Sequence, residues 1–335
     1  MKRKTSSGAV DANAALADLL QVCARLKFEP HDIAGQLDPK GHYEVELDRE
    51  FPFLIKLFRY TSRRHTRGQT WHERLELFTP LDGPAHFQMG DRFIRLERGE
   101  MLVVDNLKLH HVVDFPGFDT RVVVISFLPD FVYNLGSPSF DYTFLLPFYS
   151  KVAGKPHILR PGDRAAAPAF AAMARLLACF FDEKERYFVQ GGCKAFLLEL
   201  LFHMARYFRS SELLKWEFVR QQQRSLQLKK LFDYLRDNYS EKLTVSQAAT
   251  LSGMSKTKFM KTFKKVSGTT LVAYLNHLRV ASAARLLRET DQPIAEIASQ
   301  VGFSDQSHFD KRFKRSMGTS PRDFRAGKAQ AVAPA

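Results

Sequence analysis

The segment that decides the fold is GFSDQSHFDKRFK, residues 302–314. Phe309 and Phe313 are four residues apart, so they lie on the same side of a helix. Hydrogen-bonding and cationic side chains occupy most of the other positions. The segment therefore predicts a short helix that buries one apolar stripe and presents an unusually polar, basic face to a partner.

This segment belongs to an internal repeat. The stretch VSQAATLSGMSKTKFMKTFKKVSGTTLVAY aligns with IAEIASQVGFSDQSHFDKRFKRSMGTSPRDF. The offset is 49 residues up to the pair Gly253 and Gly302, and 50 from the pair Phe259 and Phe309 onward. Position-by-position agreement over such a length predicts a duplicated structural unit.

Each copy has the pattern of a helix-turn-helix. Thr244 and Gln247 form a Thr-x-x-Gln capping box that begins a short first helix. Gly253 stands where a tight turn needs positive φ. Ser255 in the first copy and Ser304 in the second are expected to cap the helix that follows the turn.

A single long helix is predicted between the copies, over TTLVAYLNHLRVASAARLLRET. About 19 residues at roughly 1.5 Å each give a rod of about 28 Å. One turn of B-DNA is about 34 Å long. The rod would therefore present both second helices to successive major grooves on one face of a duplex.

The charge of the chain is concentrated in the same region. The net charge is +14, and residues 225–328 carry 19 Lys and Arg against 9 Asp and Glu. An anionic partner is expected to bind there.

The three cysteines, Cys23, Cys179 and Cys193, include no CxxC pair. This pattern does not favour a disulfide framework or a zinc finger, and a reducing compartment fits it. The longest apolar stretch, residues 165–181, contains Pro168 and Arg175 and is too short to span a bilayer. The sequence predicts a cytoplasmic protein with no membrane partner.

The N-terminal part of the chain has a different residue pattern. From about residue 41 to 128, short β-branched and aromatic runs alternate with turn signals, which predicts an antiparallel sandwich or small barrel. Two helices are expected to follow, over roughly 163–186 and 190–212. The apolar face of the second either packs against the β domain or forms a dimer, and both interpretations are open.

The C-terminal residues carry a family resemblance. The elements IA-x-x-VGF, S-x-x-x-x-F-x-x-x-FK and G-x-SP-x-x-F make the region from about 226 to 326 similar to the DNA-binding domain of the AraC/XylS family of bacterial transcription regulators. The resemblance implies a regulator, not an enzyme, whose partners are double-stranded DNA and a small-molecule effector. The aromatic-rich segment FDYTFLLPFYS would accommodate a sugar-like effector. It also implies a homodimer, contact with RNA polymerase if transcription is activated, and no cofactor.

The resemblance also implies which residues meet DNA. Base reading is expected from the second helix of each unit, by Ser255, Lys256, Thr257, Met260 and Lys261 in the first and by Asp305, Gln306, Ser307, His308, Asp310 and Lys311 in the second. Phosphate contacts are expected from Thr244, Lys264, Arg312, Lys314 and Arg315. Gln pairs with adenine and Lys with guanine. Because the two sets differ, each monomer is predicted to read an asymmetric site.

The N-terminal strands resemble a cupin-type sensor domain. His72, Glu76 and His110 stand at cupin ligand positions, but Thr70 stands where another histidine belongs. The three residues are interpreted as effector contacts, with a metal site and a purely structural role as alternatives. An alternative function is a cupin-type metalloenzyme fused to a DNA-binding module. The related alkylation-repair fusion needs a reactive cysteine cluster, which this chain lacks.

The predicted fold class is multi-domain α+β. An N-terminal antiparallel β domain and a helical connector are expected to precede an all-α domain with two helix-turn-helix units joined by a long helix. The expected boundaries are 1–27 for an N-terminal arm and helix, 28–160 for the effector-binding domain, 161–220 for the connector and 225–327 for the DNA-binding domain.

Overall fold

The computed structural model describes most of both predicted domains. The described residues are 7–30, 47–48, 50–60, 72–90, 92–105, 109–116, 119–133, 141–149, 157–182, 187–208, 227–228, 230–235, 237–267, 269–317 and 319–326. Thr70 and the boundary near residues 221–225 lie outside them.

The N-terminal domain contains two β-sheets. Its strands are β1 (Glu29–Pro30), β2 (Phe53–Tyr60), β3 (Leu75–Pro80), β4 (Ala85–Met89), β5 (Arg92–Leu96), β6 (Met101–Val104), β7 (His110–Asp114), β8 (Thr120–Phe127) and β9 (Ile158–Leu159). One sheet has the order β1-β2-β8-β3-β6-β9, and the other has the order β5-β4-β7. The long pairs are antiparallel, as predicted; β2 pairs with β8 from Phe53 opposite Phe127 to Tyr60 opposite Thr120.

The larger sheet is buried on both faces. Alternate residues of a strand point to opposite faces, so Leu75 and Leu77 of β3 face one side and Glu76 and Phe78 the other. Leu75 and Leu77 join a core that the helices cover. Phe78 joins a second core, which includes Phe87 of the smaller sheet. Every residue of β3 is therefore buried, although one of them is a glutamate.

Helices cover the outer face of the larger sheet. They are α1 (Ser7–Ala24), α2 (Pro129–Val132), α3 (Leu146–Tyr149), α4 (Ala166–Phe180) and α5 (Val189–Phe208). The apolar face of α5, including Leu197, Leu201 and Met204, is buried in the same core as the sheet. Of the two interpretations left open by the sequence, this face packs within its own domain.

The C-terminal domain is all helical within its described residues. Its helices are α6 (Val245–Leu251), α7 (Lys256–Ser267), α8 (Leu271–Glu289), α9 (Ile294–Gln300), α10 (Gln306–Met317) and α11 (Pro321–Arg325). The predicted rod is α8, a continuous helix of 19 residues. One core surrounds Phe259 and Phe263 and another surrounds Phe309 and Phe313, so each repeat has its own core.

The two domains contact each other. Leu109, just before β7, is fully buried in the core of the first helix-turn-helix unit. The smaller sheet therefore lies against the DNA-binding domain. The predicted fold class is confirmed. Among the helices that the structure describes, none is long and apolar enough to cross a membrane.

Candidate nucleic-acid interface

The first helix-turn-helix unit is formed by α6 and α7. The predicted capping box is present, with the Thr244 backbone N–H donating to Gln247 Oε1 at 2.9 Å and the Gln247 N–H donating to Thr244 Oγ1 at 3.3 Å. Gly253 makes the turn at φ +61°. Ser255 Oγ then accepts a hydrogen bond from the Lys258 N–H, so Ser255 caps α7 as predicted.

The second unit, α9 and α10, has the same plan with a different cap. Gly302 makes the turn at φ +94°. The prediction that Ser304 caps the next helix is wrong. Asp305 Oδ1 accepts from the His308 N–H at 2.7 Å, so the cap is one residue later. The repeat offset of 50, applied to Ser255, points to Asp305 and could have found this cap.

The outer face of α7 is open to solvent. Phe259 and Phe263 are buried, whereas the five residues predicted to read bases are exposed, namely Ser255, Lys256, Thr257, Met260 and Lys261. Met260, the one apolar residue of this set, is 52% exposed. Lys264 continues the exposed face toward the end of the helix, and Thr244 is exposed at the start of α6.

The corresponding face of α10 is also open, with one exception. Gln306, Ser307, His308 and Lys311 are exposed, as are Asp305, Lys314 and Arg315. Asp310 is half-buried beside the apolar stripe, and burial raises the pKa of its carboxyl. Its Oδ1 atom is buried and has no hydrogen-bond partner among the described residues. Asp310 is therefore poorly placed to reach a base edge.

His308 and Arg312 interact along α10. The Arg312 Nε–H donates to His308 Nε2 at 3.2 Å, and the imidazole packs edge-on to Phe303 with ring centroids 5.6 Å apart. Arg312 is half-buried on the flank of the helix that faces the N-terminal domain. His308 thus holds Arg312 in position as well as being exposed itself.

Residues 239–241 join the two units, which the sequence patterns did not predict. Arg279, in the middle of α8, donates from Nε to the Tyr239 carbonyl oxygen at 2.8 Å and from Nη2 to the Glu241 carbonyl oxygen at 2.9 Å. The Tyr239 hydroxyl lies 2.8 Å from Ser282 Oγ on the same helix. The only sequence signal was a cation within a rod of mostly apolar and small residues.

The second candidate site predicted from the sequence lies in the sensor domain, and its three residues form a buried cluster. The structure brings His72, Glu76 and His110 together between the sheets, and one ligand atom from each lies within 4.8 Å of the others. His72 Nε2 is 3.1 Å from Glu76 Oε1, and His110 Nε2 is 3.6 Å from Glu76 Oε2. The Ser126 hydroxyl donates to Glu76 Oε1 at 2.8 Å. All these side chains are buried.

Burial and proximity set the charges of this group. Burial lowers the pKa of His72 to about 4, because an imidazolium is costly in an apolar surrounding. Burial alone would raise the pKa of Glu76, but the neighbouring His72 and His110 hold it well below its usual value. The Arg74 guanidinium, with Nε 3.8 Å from Glu76 Oε1, adds a positive charge beside the carboxylate.

The family model that matches this chain covers most of the C-terminal domain. Residues 248–327 match a family model described as a helix-turn-helix domain. The chain is 20% identical over 288 residues to the uncharacterised HTH-type transcriptional regulator YdeC of Bacillus subtilis, covering 84% of this chain and 95% of that protein. It is 35% identical over 101 residues to the HTH-type transcriptional activator RhaS of an Enterobacter species, covering 30% of this chain and 36% of RhaS.

Two kinds of solved structure are similar to this chain, one over most of its length and one over about a third of it. ToxT of Vibrio cholerae superposes on 82% of this chain and 98% of its own, with a TM-score of 0.48 and 14% identity. An AraC-type DNA-binding domain protein of Chromobacterium violaceum covers 32% of this chain at 29% identity, with a TM-score of 0.30. With two repeated helix-turn-helix units joined by one continuous helix, and with these sequence relatives, the C-terminal domain is a helix-turn-helix domain similar to those of bacterial transcription regulators of the AraC type.

Proposed function

We propose that this regulator binds one asymmetric DNA site per monomer, with α7 and α10 in successive major grooves. The observation that carries the proposal is the pair of exposed polar faces held on one continuous 19-residue rod. Such a rod maintains the spacing between the two helices, which DNA recognition at fixed half-site separation requires. The basic charge of the domain supplies attraction to phosphate.

The two faces differ in the bases that they suit. On α7, Lys256 and Lys261 favour guanine, and Thr257 can bond to either kind of base edge. Met260 suits a thymine methyl group. On α10, Gln306 favours adenine and Ser307 bonds to either kind of edge. We leave Asp310 out of the reading set because it is half-buried, and Asp305 serves first as a cap.

Phosphate contacts flank these readers. Lys264, Lys314 and Arg315 are exposed at the later turns of their helices, where a cation meets the DNA backbone without reading sequence. Thr244 is exposed as well, but its hydroxyl already takes part in the capping box. Arg312 stands on the flank of α10 next to the sensor domain.

The family supports several further features of the proposal. Residues 1–27, 28–160 and 161–220 would form the arm, sensor and connector, and 225–327 the DNA-binding domain. The protein would act as a dimer in the bacterial cytoplasm, would contact RNA polymerase if it activates transcription, and would have no enzymatic activity of its own.

The test is selection of binding sites from random duplexes by the full-length protein. The expected site has two different subsites about 10 bp apart. Lys261→Ala should relax preference at one subsite and Gln306→Ala at the other, each with a loss of about 1–3 kcal/mol. Arg315→Ala, the matched backbone control, should weaken all duplexes alike and reduce the salt slope by about one. Equal loss on every duplex for Gln306→Ala would refute its reading role.

The sensor site has a second candidate function, that of a metal-dependent cupin enzyme. The observation that favours it is the clustering of His72, Glu76 and His110, whose nitrogen and carboxylate atoms suit a divalent transition metal. The adjacent Arg74 opposes an added cation. Metal analysis of the purified chain decides between them. A stoichiometric metal that is lost together with a turnover activity in His72→Ala would favour the enzyme.

The burial of His72, Glu76 and His110 limits how an effector could reach them. A small molecule that contacts His72, Glu76 or His110 must enter between the sheets and displace the contacts that these residues make with one another and with Ser126. The described part of the chain offers a more open location for a ligand, between the two domains.

A further inference from the structure

A cleft lies between the smaller sheet of the sensor domain and the DNA-binding domain. Gln88, Phe93 and His111 line it from β4, β5 and β7, and His277, Arg312 and Arg315 are among those that line it from α8 and α10. Its volume is about 470 Å³. Sites for small molecules have about 300–1,000 Å³. The cleft is therefore large enough for a compact organic ligand.

The charge of the cleft is of one sign. Among the described residues, two arginines and two histidines line it, and no aspartate or glutamate does. Arg312 donates from Nε to His308 Nε2, a partner that carries no negative charge. Guanidinium groups bind carboxylate and phosphate through paired hydrogen bonds. The cleft is thus suited to an anion.

One wall of the cleft is apolar. The Phe93 ring is 73% exposed, and Ala273 and Val280 of the rod also line the space. A phenylalanine that protrudes into a solvent-filled cleft stabilises the apolar body of a ligand by removing its surface from water. The combination of cations and an exposed ring selects an organic anion over an inorganic one.

We propose that this interdomain cleft binds a small organic anion, a carboxylate or phosphate ester on an apolar or aromatic body, which competes with DNA for Arg312 and Arg315. The inference rests on the proposed DNA-binding role of α10. A guanidinium that holds the ligand cannot also hold a DNA phosphate. By linkage, the ligand lowers DNA affinity by the same factor by which DNA lowers ligand affinity.

The experiment uses the full-length protein and measures two things at constant ionic strength. The first is direct binding of phenyl phosphate, benzoate, inorganic phosphate and benzyl alcohol to the DNA-free protein by calorimetry. The second is the affinity for a selected duplex with and without each compound. Phenyl phosphate or benzoate should bind and should weaken DNA binding about tenfold, within the usual range of coupling between sites. Inorganic phosphate has the anionic group without an apolar body, and benzyl alcohol has the ring without an anionic group. Neither compound should bind or weaken DNA binding.

Phe93→Ser is the decisive variant because Phe93 is exposed and takes no part in the proposed DNA contacts. It should bind DNA normally without a ligand and should lose both ligand binding and competition. Phe188→Ser removes another ring, 66% exposed, away from the cleft, and should behave as the unaltered protein.

Competition that persists in Phe93→Ser, equal competition by inorganic phosphate, or no binding of either aromatic anion would each overturn the proposal. Normal DNA binding in the ligand-free arm would leave the DNA-binding role intact in all three cases. Loss of DNA binding in that arm would count instead against the proposed function.

Discussion

Gly302 lies directly against the backbone of Ser240. A Cβ atom at residue 302 would overlap the Ser240 carbonyl group and would lie 2.8 Å from the Ser240 Cα, and φ at Gly302 is +94°. Gly253, its counterpart in the first unit, has φ +61°, but a Cβ atom added there would meet no described atom within 4 Å. The same turn is thus packed in one unit and open in the other.

This difference predicts unequal effects of substitution at the two glycines. Gly253→Ala should lower the free energy of unfolding by about 1–2 kcal/mol, the cost of a left-handed residue. Gly302→Ala should cost about 1–3 kcal/mol more, because the backbone of Ser240 must also move. Urea unfolding of the full-length protein measures both.

Asparagine provides the control for this prediction. It tolerates the left-handed region, so Gly253→Asn should recover much of the loss at that turn. Gly302→Asn should recover little, since the overlap with Ser240 remains. Equal recovery at the two positions would contradict the proposed packing.

Arg279 should stabilise the junction between the two units. Arg279→Met removes two hydrogen bonds from a charged, half-buried donor to the Tyr239 and Glu241 carbonyl oxygens. The expected loss in free energy of unfolding is about 1.5–3 kcal/mol. Arg279→Lys should restore only part, because an ammonium lacks the planar fork. Arg285→Met, which breaks the partly exposed pair with Glu289 on the same helix, should cost less than about 1 kcal/mol.

The cap of α10 provides a third prediction. Asp305→Ala should lower the free energy of unfolding by about 0.5–2 kcal/mol, because the His308 N–H then loses its acceptor. Asp305→Ser should retain most of the stability, since serine is also a good cap. Ser304→Ala, one residue earlier and exposed, should have almost no effect. A larger effect for Ser304→Ala than for Asp305→Ala would return the cap to the position expected from the sequence.

The buried histidine predicts how stability depends on pH. His72 has a pKa of about 4 in the folded protein, whereas the unfolded chain binds this proton near pH 6.5. Between these values the unfolded state holds more protons, so stability is complete above about pH 6.5 and falls as the pH is lowered toward 4. The total loss is about 3 kcal/mol. The lowered pKa of Glu76 extends the loss to more acidic pH.

Calorimetry of the β-domain transition between pH 4 and 7 tests this dependence. His72→Gln should reduce the slope, whereas His308→Gln, which lies in the DNA-binding domain, should leave the transition of the β domain unchanged. An identical slope in His72→Gln would mean that another group titrates.

Most of the DNA-binding domain could be predicted from local sequence patterns. The repeat, the capping box at Thr244, the turn glycines and the four-residue spacing of Phe309 and Phe313 all act within one or two turns of helix, and the structure has each of them. The prediction of a cap at Ser304 is wrong because Ser304 and Asp305 are both good capping residues. The choice between them depends on which residue first adopts helical geometry after the turn.

Long-range contacts could not be predicted from the sequence. The hydrogen bonds of Arg279 join residues about forty positions apart, and the cleft joins β strands to helices more than a hundred and fifty residues later. Neither leaves a periodic pattern, because each depends on how separate elements pack.

The sequence by itself therefore determined two amphipathic helices, their spacing along the chain and the basic character of their outer faces. Periodicity and capping act between neighbouring residues. Only the tertiary structure decided that two arginines of α10 face the sensor domain, that the group of His72, Glu76 and His110 is closed to solvent, and that Gly302 has no room for a side chain. Each of these features lies where two elements that are distant in the sequence pack together. The shape and charge of such a contact depend on the residues of both elements.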